Sequence, residues 1–231
     1  MVEAFLFGAI AQSSLVLSGW LPYFVRIPER IVGLLAGIGA GALISAVAFG
    51  LIPETHILAQ IDSAAWLLLG AIVFIVLDRF VDRRFGSDSS GGPLGIVLGA
   101  VIDGIPESVI FGIQIASGVP ISVAFLAAVI VSNVPQALAP SADLKKSGWK
   151  IGRMTMMWGS VVLACAVASS LGFVVASSMD ARDVGARAAA IAAGGLLAML
   201  TDSLIPFAYD KGGIGAGFAT VVGFVAALAI T

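Results

Sequence analysis

The chain is short of nearly everything a water-soluble enzyme uses. Among 231 residues there are one cysteine, one histidine and two tyrosines, and charged residues make up only 11%. The single cysteine, Cys165, excludes an intrachain disulfide and a cysteine-based zinc cluster. The single histidine, His56, excludes a His-Glu-x-x-His motif, and "YDKGG" at Tyr209 sits at a helix end without a second Gly-x-Gly-Asp element, so the chain is read as a non-enzyme. A net charge of −2 says little where the placement of charges matters more than their sum. The glycines Gly37, Gly39 and Gly41 follow no strand and make no nucleotide fingerprint, and no nucleic-acid partner is expected.

What is abundant is apolar. A hydrophobic content of 59% and a mean hydropathy of +1.08 exceed what one water-soluble core can hide, so the partner is the lipid bilayer. Crossing it as a helix takes about 20 apolar residues. Eight candidate spans lie between clusters of charge, proline and glycine, over 3–25, 31–53, 63–81, 94–117, 120–142, 151–178, 186–208 and 213–231. The runs are continuous and show no alternation of period two, which predicts an all-α membrane protein rather than a barrel. The stretch from Ala4 to Phe24 is too long for a signal-peptide core and lacks a cleavage site, so it is expected to be retained.

Orientation follows from the basic residues. The connections after spans 1, 3, 5 and 7 hold Arg26, Arg30, Arg79, Arg83, Arg84, Lys145, Lys146, Lys150, Arg153 and Lys211, whereas the opposite side has only Arg182 and Arg187. This bias predicts cytoplasmic odd-numbered connections and both termini outside the cell. The most polar connection, Arg83 to Pro93, has the Ser/Gly content of a solvated linker.

The chain also resembles itself. "GALISAVAFGLIP" (Gly41 to Pro53) and "GGLLAMLTDSLIP" (Gly194 to Pro206) end on the same Leu-Ile-Pro at the same spacing, and "DGIPE" (Asp103 to Glu107) answers "SNVPQ" (Ser132 to Gln136). Under the charge-based topology each pair runs in opposite directions, which predicts inverted repeats of spans 1–3 (3–81) and 6–8 (151–231) around a central hairpin at 94–142. The ridge Gly33, Gly37, Gly41 suits close helix packing within the bundle.

Asp103 and Glu107 are the residues hardest to place in lipid. Asp103 stands about nine residues, roughly 13 Å, into span 4, and Glu107 follows one turn later on the same face. Gln114 extends that stripe, and Pro106 frees the carbonyl of Ile102. On span 5, Asn133, Gln136, Pro140 and Asp143 recur at helical spacing, so Asp103, Glu107, Asn133 and Gln136 are expected to converge. Every lysine and arginine is assigned to a connection or a helix end, which leaves no internal cation for the two acids. Either they hold a proton or a cation from outside completes them. Asp202 is a candidate for the inner vestibule, and His56 reads as a solvated loop residue.

These motifs resemble the ZIP (Zrt/Irt-like protein) family of divalent metal transporters, with eight membrane helices, outward termini and a transport site on helices 4 and 5. The family's helix 4 commonly reads His-Asn-x-Pro-Glu-Gly, matched here by Asp103, Gly104, Ile105, Pro106, Glu107 and Ser108. Its helix 5 element is answered by Ser132, Asn133, Val134, Pro135, Gln136 and Ala137, and "FGLIPETH" and "LTDSLIPFAYD" resemble helices 2 and 7. The resemblance implies a permease of the plasma membrane, in bacteria the inner membrane, moving a divalent cation toward the cytoplasm by alternating access. Asp103, Glu107, Asn133 and Gln136 would be ligands, with Gln114, Ser132, Asp143 and Asp202 along the pathway. Of the family's ligands only Glu107 is unchanged, which implies one ion rather than two. Oxygen ligands shift preference from zinc toward manganese, magnesium or ferrous iron. The resemblance also implies a homodimer as an assembly. The altered ligands at Gly104 and Gln136 motivate the rival expectation, a sensor or interaction partner that no longer carries metal.

Overall fold

A computed structural model describes residues 1–85, 92–118, 121–178 and 181–230, and among them every regular element is helical. Helix α1 spans Val2–Phe24. Helix α2 runs Glu29–Ala46, makes a π-helical turn at Val47–Leu51 and closes over Ile52–Glu54 and Thr55–Ile57. Then follow α3 (Gln60–Phe85), α4 (Gly92–Ala116), α5 (Val123–Lys146) and α6 (Ile151–Ser177). Helix α7 starts as Ala181–Met199, makes a second π-helical turn at Leu200–Leu204 and ends as Ile205–Gly212, before α8 (Gly215–Leu228). Most of the connection expected from Arg83 to Pro93, and part of the turn Ser117 to Pro120, lie outside the described residues.

Helices α1 to α7 are long and apolar enough to cross a membrane, and the chain is a multi-pass membrane protein on that ground. Helix α8 has 14 residues. That gives about 21 Å, short of the ~30 Å hydrocarbon layer. Length and composition thus account for seven of the eight expected spans and leave α8 as a shorter apolar helix.

The two π-helical turns have one cause. Pro53 and Pro206 lack an N–H, so the carbonyls of Phe49 and Asp202, four residues earlier, lose their regular donor and the helix widens just before each proline. Pro206 follows Pro53 by 153 positions, and the same shift relates the packing around them. Helix α2 packs on α8, and α7 packs on α3. A Cβ at Gly41 would collide with the Thr220 carbonyl oxygen, and one at Gly194 with the Leu67 carbonyl oxygen. Gly194 and Thr220 stand 153 positions after Gly41 and Leu67. Gly70 against Ile191 and Gly223 against Ile38 repeat the relation. Residue i of one half meets j of the other while j meets i, which is the reciprocity of a twofold axis. The ridge Gly33, Gly37, Gly41 faces Lys211, Gly212, Ala216 and Thr220, and so is used inside the chain.

Helices α4 and α5 differ from the expected close hairpin. Helix α4 packs mainly on α6, while α5 packs on α1 and α2, and the two touch each other only briefly. Small residues decide this. Gly112 of α4 seats against the backbone of Ser169 in α6, and Gly39 of α2 seats against Ser132 of α5. Helix α1 consequently reaches both partners and supplies a side chain between them.

The ends of the bundle are sorted. At one end Arg26, Lys145, Lys146 and Lys211 line a common cavity, and the Tyr23 hydroxyl donates to the Trp149 carbonyl. This basic end gathers the connections α1–α2, α5–α6 and α7–α8. At the other end the Gln114 amide donates to Glu54, and Gly185 lies beside Ser117, which joins the connections α2–α3, α4–α5 and α6–α7.

Candidate functional site

Glu107 is the centre of the site. It is 1% exposed, in the middle of α4, and among the described residues no basic side chain pairs with it. One carboxylate oxygen, Oε2, accepts from Gln12 Nε2 of α1 at 3.0 Å. The other, Oε1, has no hydrogen-bond partner among the described residues. A buried acceptor left open costs about 1–3 kcal/mol, and more when charged.

Gln12 is held from its other end. Asn133 Nδ2 of α5 donates to Gln12 Oε1 at 3.0 Å, to Ser14 Oγ at 3.0 Å and to the Ala11 carbonyl at 3.3 Å. Asn133, Gln12 and Glu107 thus form one directed chain in which each donates to the next and the carboxylate is the last acceptor. Aligned amide dipoles of this kind strengthen one another in a low-dielectric interior. They also fix the carboxylate so that its open oxygen keeps one direction.

The four expected ligands separate into two layers. Glu107 and Asn133 belong to the deep, amide-bonded layer, joined through Gln12 rather than by direct contact. Asp103 and Gln136 line a cavity of about 520 Å³ that extends to the basic end, past Pro140, Trp158 and Ser203. Asp103 lies one turn, about 6 Å along the axis, from Glu107. The four residues expected to converge are thus divided between the amide chain and the cavity wall. The cause is the insertion of α1 between α4 and α5.

Beyond Glu107, away from the cavity, the way is closed by packing. Phe111 and Phe125 are fully buried with ring centroids 5.2 Å apart. Past them Gln114, 3% exposed, donates to Glu54 Oε1 at 2.9 Å, and its own Oε1 has no partner among the described residues. Gln114 stands two helical turns from Glu107, so two oxygens without a hydrogen-bond partner among the described residues lie along α4.

The remaining expected pathway residues fare unevenly. Ser132 is buried and donates to the Val129 carbonyl at 2.9 Å. Asp143 is exposed, lines the cavity near its mouth and pairs with Lys146 at 2.9 Å. Asp202 is exposed within the second π-helical turn, and its neighbour Ser203, not Asp202 itself, lines the cavity. His56 is exposed, with Nδ1 2.7 Å from the Pro53 carbonyl, in keeping with a solvated position.

Gly104 stands where the resemblance expects an amide, and the space explains it. A Cβ there would meet Cys165 Sγ at 2.6 Å and Gln12 Nε2 at 3.4 Å. The amide beside the carboxylate arrives from α1 instead. Gln12 carries no motif, and its only signal in the sequence is that it is the one amide in the first span.

Among the described residues no three of His, Cys, Asp and Glu come together as a metal-binding group. A cation held here would rest on carboxylate and amide oxygens. No protein-family model matches the chain, and no curated protein matches it significantly.

Proposed function

We propose that the chain is a ZIP-like permease carrying one divalent metal cation through the bundle toward the basic end, which faces the cytoplasm of a bacterial inner membrane. The observation that carries this reading is the open Oε1 of Glu107, buried with no basic partner among the described residues and aligned by the Asn133–Gln12 amide chain. An ionised carboxylate inside a membrane is expensive and marks an ion or proton path by default. The second open oxygen, on Gln114, supports a line of acceptors along α4, and the cavity at Asp103 supports release at the basic end. Hard oxygen donors suit manganese, magnesium or ferrous iron better than zinc. Few charged ligands also suit transport, which needs binding weak enough to release.

The reciprocal packing of α2 on α8 and α7 on α3 supports alternating access between related halves. Helix α7 comes five passes after α2, so the halves run in opposite senses if every intervening helix crosses, as inverted repeats do. With the cavity open at the basic end and Phe111 and Phe125 packed beyond Glu107, the geometry fits an inward-facing state.

Uptake of radioactive manganese into proteoliposomes is the test. Glu107→Gln should reduce uptake to the protein-free background, and Asp103→Asn should reduce it in part. Full uptake by Glu107→Gln would remove the site. The altered ligands at Gly104 and Gln136, with no three of His, Cys, Asp and Glu grouped among the described residues, support a second reading, a ZIP-like sensor or interaction partner without transport. In that case calorimetry on the purified wild type shows no cation binding at millimolar concentration.

A further inference from the structure

We propose that a second cavity, at the basic end between α1, α2, α5 and α7, binds the phosphate-bearing headgroup of an anionic phospholipid. The cavity measures about 540 Å³, within the range of small-ligand sites, and does not depend on the cation path proposed above. Its rim holds four cations, Arg26, Lys145, Lys146 and Lys211, against two carboxylates, Glu29 and Asp143.

Both carboxylates are already committed. Asp143 pairs with Lys146 at 2.9 Å, and Glu29 with Lys211 at 3.2 Å. Arg26 and Lys145 take part in no ion pair among the described residues. The Lys145 ammonium donates to the carbonyls of Pro22 at 2.9 Å and Tyr23 at 3.4 Å, in the last turn of α1. Those carbonyls hold it at the rim without neutralising it. Two positive charges, one a guanidinium fork and one a point charge, therefore face a common space. That pairing matches phosphate oxygens, which a guanidinium can hold in a bidentate manner.

The walls select the source of the phosphate. Val32, Leu138 and Phe207 make the inner surface apolar, and the neighbouring Leu21, Phe24 and Val25 leave a greasy slope, with Phe24 76% exposed. A free phosphate ion would leave that surface wetted. A diester with acyl chains covers it while its head meets Arg26 and Lys145. The position fits as well, because the cavity lies at the ends of membrane-length helices, at headgroup level, on the side richest in basic residues. Phe207, Asp143 and Lys211 also line the cavity that leads to Asp103, so a bound lipid would form part of the wall of that passage.

Native mass spectrometry of the full chain in neutral detergent, titrated with phosphatidylglycerol or with phosphatidylcholine of the same acyl composition, tests the proposal. Phosphatidylglycerol should be retained in preference, and Arg26→Gln and Lys145→Gln should each weaken retention by about fivefold. Arg84→Gln, at the end of α3 and outside the cavity, should leave it unchanged. Arg26 has no hydrogen bond or ion pair among the described residues, so Arg26→Gln keeps the test valid even if Lys145→Gln disturbs the end of α1. Equal retention of the two lipids would overturn the proposal, as would undiminished retention by Arg26→Gln or an equal loss in Arg84→Gln. Displacement of phosphatidylglycerol by equimolar inorganic phosphate would assign the cavity to the free ion and overturn it too.

Discussion

Gln12 in α1 and Cys165 in α6 stand 153 positions apart, the shift that relates the two halves of the bundle, yet one is an amide and the other a thiol. Their partners match as well. Asn133 and Gly104 each lie two residues before a proline of the matched pair Pro135 and Pro106. On one side Asn133 donates to Gln12 at 3.0 Å, while on the other Cys165 fills the space over a bare Gly104. The contacts correspond at that offset and the side chains that make them do not. Polarity has been placed on one side of the axis, where it can reach the carboxylate of Glu107. The symmetric partner of Glu107 is Gln136, neutral and lining the cavity.

The π-helical turns teach the same lesson. Val47–Leu51 reads VAFGL and sets Phe49 edge-on to Phe224 at 6.0 Å, whereas Leu200–Leu204 reads LTDSL and turns Ser203 into the cavity. The same backbone device carries apolar side chains in one half and a polar, cavity-lining one in the other.

The contrast between the halves can be broken first at Gln12. Gln12→Leu leaves both oxygens of Glu107 open and takes away an acceptor of Asn133. Orienting partners of this kind are worth about 10–100-fold in affinity, so manganese binding by calorimetry should weaken by that factor. Unchanged binding would mean that the polar half gives no advantage over the apolar one. Symmetry is sharpened by a matched pair of substitutions. Gly41→Ala and Gly194→Ala each drive a methyl group into a backbone carbonyl, and each should lower stability by about 1–3 kcal/mol in denaturation of the detergent-solubilised chain. A large loss from one and none from the other would break the twofold relation. The smallest effect is expected at Gly104→Ala, because the Cys165 thiol can rotate aside where a carbonyl cannot. Cys165→Ala should then recover the loss, with a coupling of about 0.5–1 kcal/mol in a double-mutant cycle, and strict additivity would show that the two positions do not touch.

Much of the fold was legible because apolar runs of membrane length, prolines and clusters of basic residues are one-dimensional signals. The matching segments at Gly41–Pro53 and Gly194–Pro206 stand at the same 153-position offset as the paired glycine contacts. Glu107 was legible too, as an acid with no basic residue left to neutralise it. What escaped was the neighbour relation. Whether α4 touches α5 or α1 depends on which small residues face which helix, and Gly39, Gly104 and Gly112 look alike in a sequence. Gln12 was missed for that reason, and with it the division of the expected ligands into two layers. At the second π-helical turn Ser203 rather than Asp202 lines the cavity, a one-position difference that spacing alone does not decide.

The central claim is that the open oxygen of Glu107 awaits a cation. Anomalous scattering from manganese-soaked crystals of the full chain tests it most directly. One manganese peak bonded to Glu107 Oε1, absent in Glu107→Gln, is the predicted result. A crystal in which that oxygen already accepts from a protein donor, or in which manganese occupies only exposed carboxylates, would contradict it.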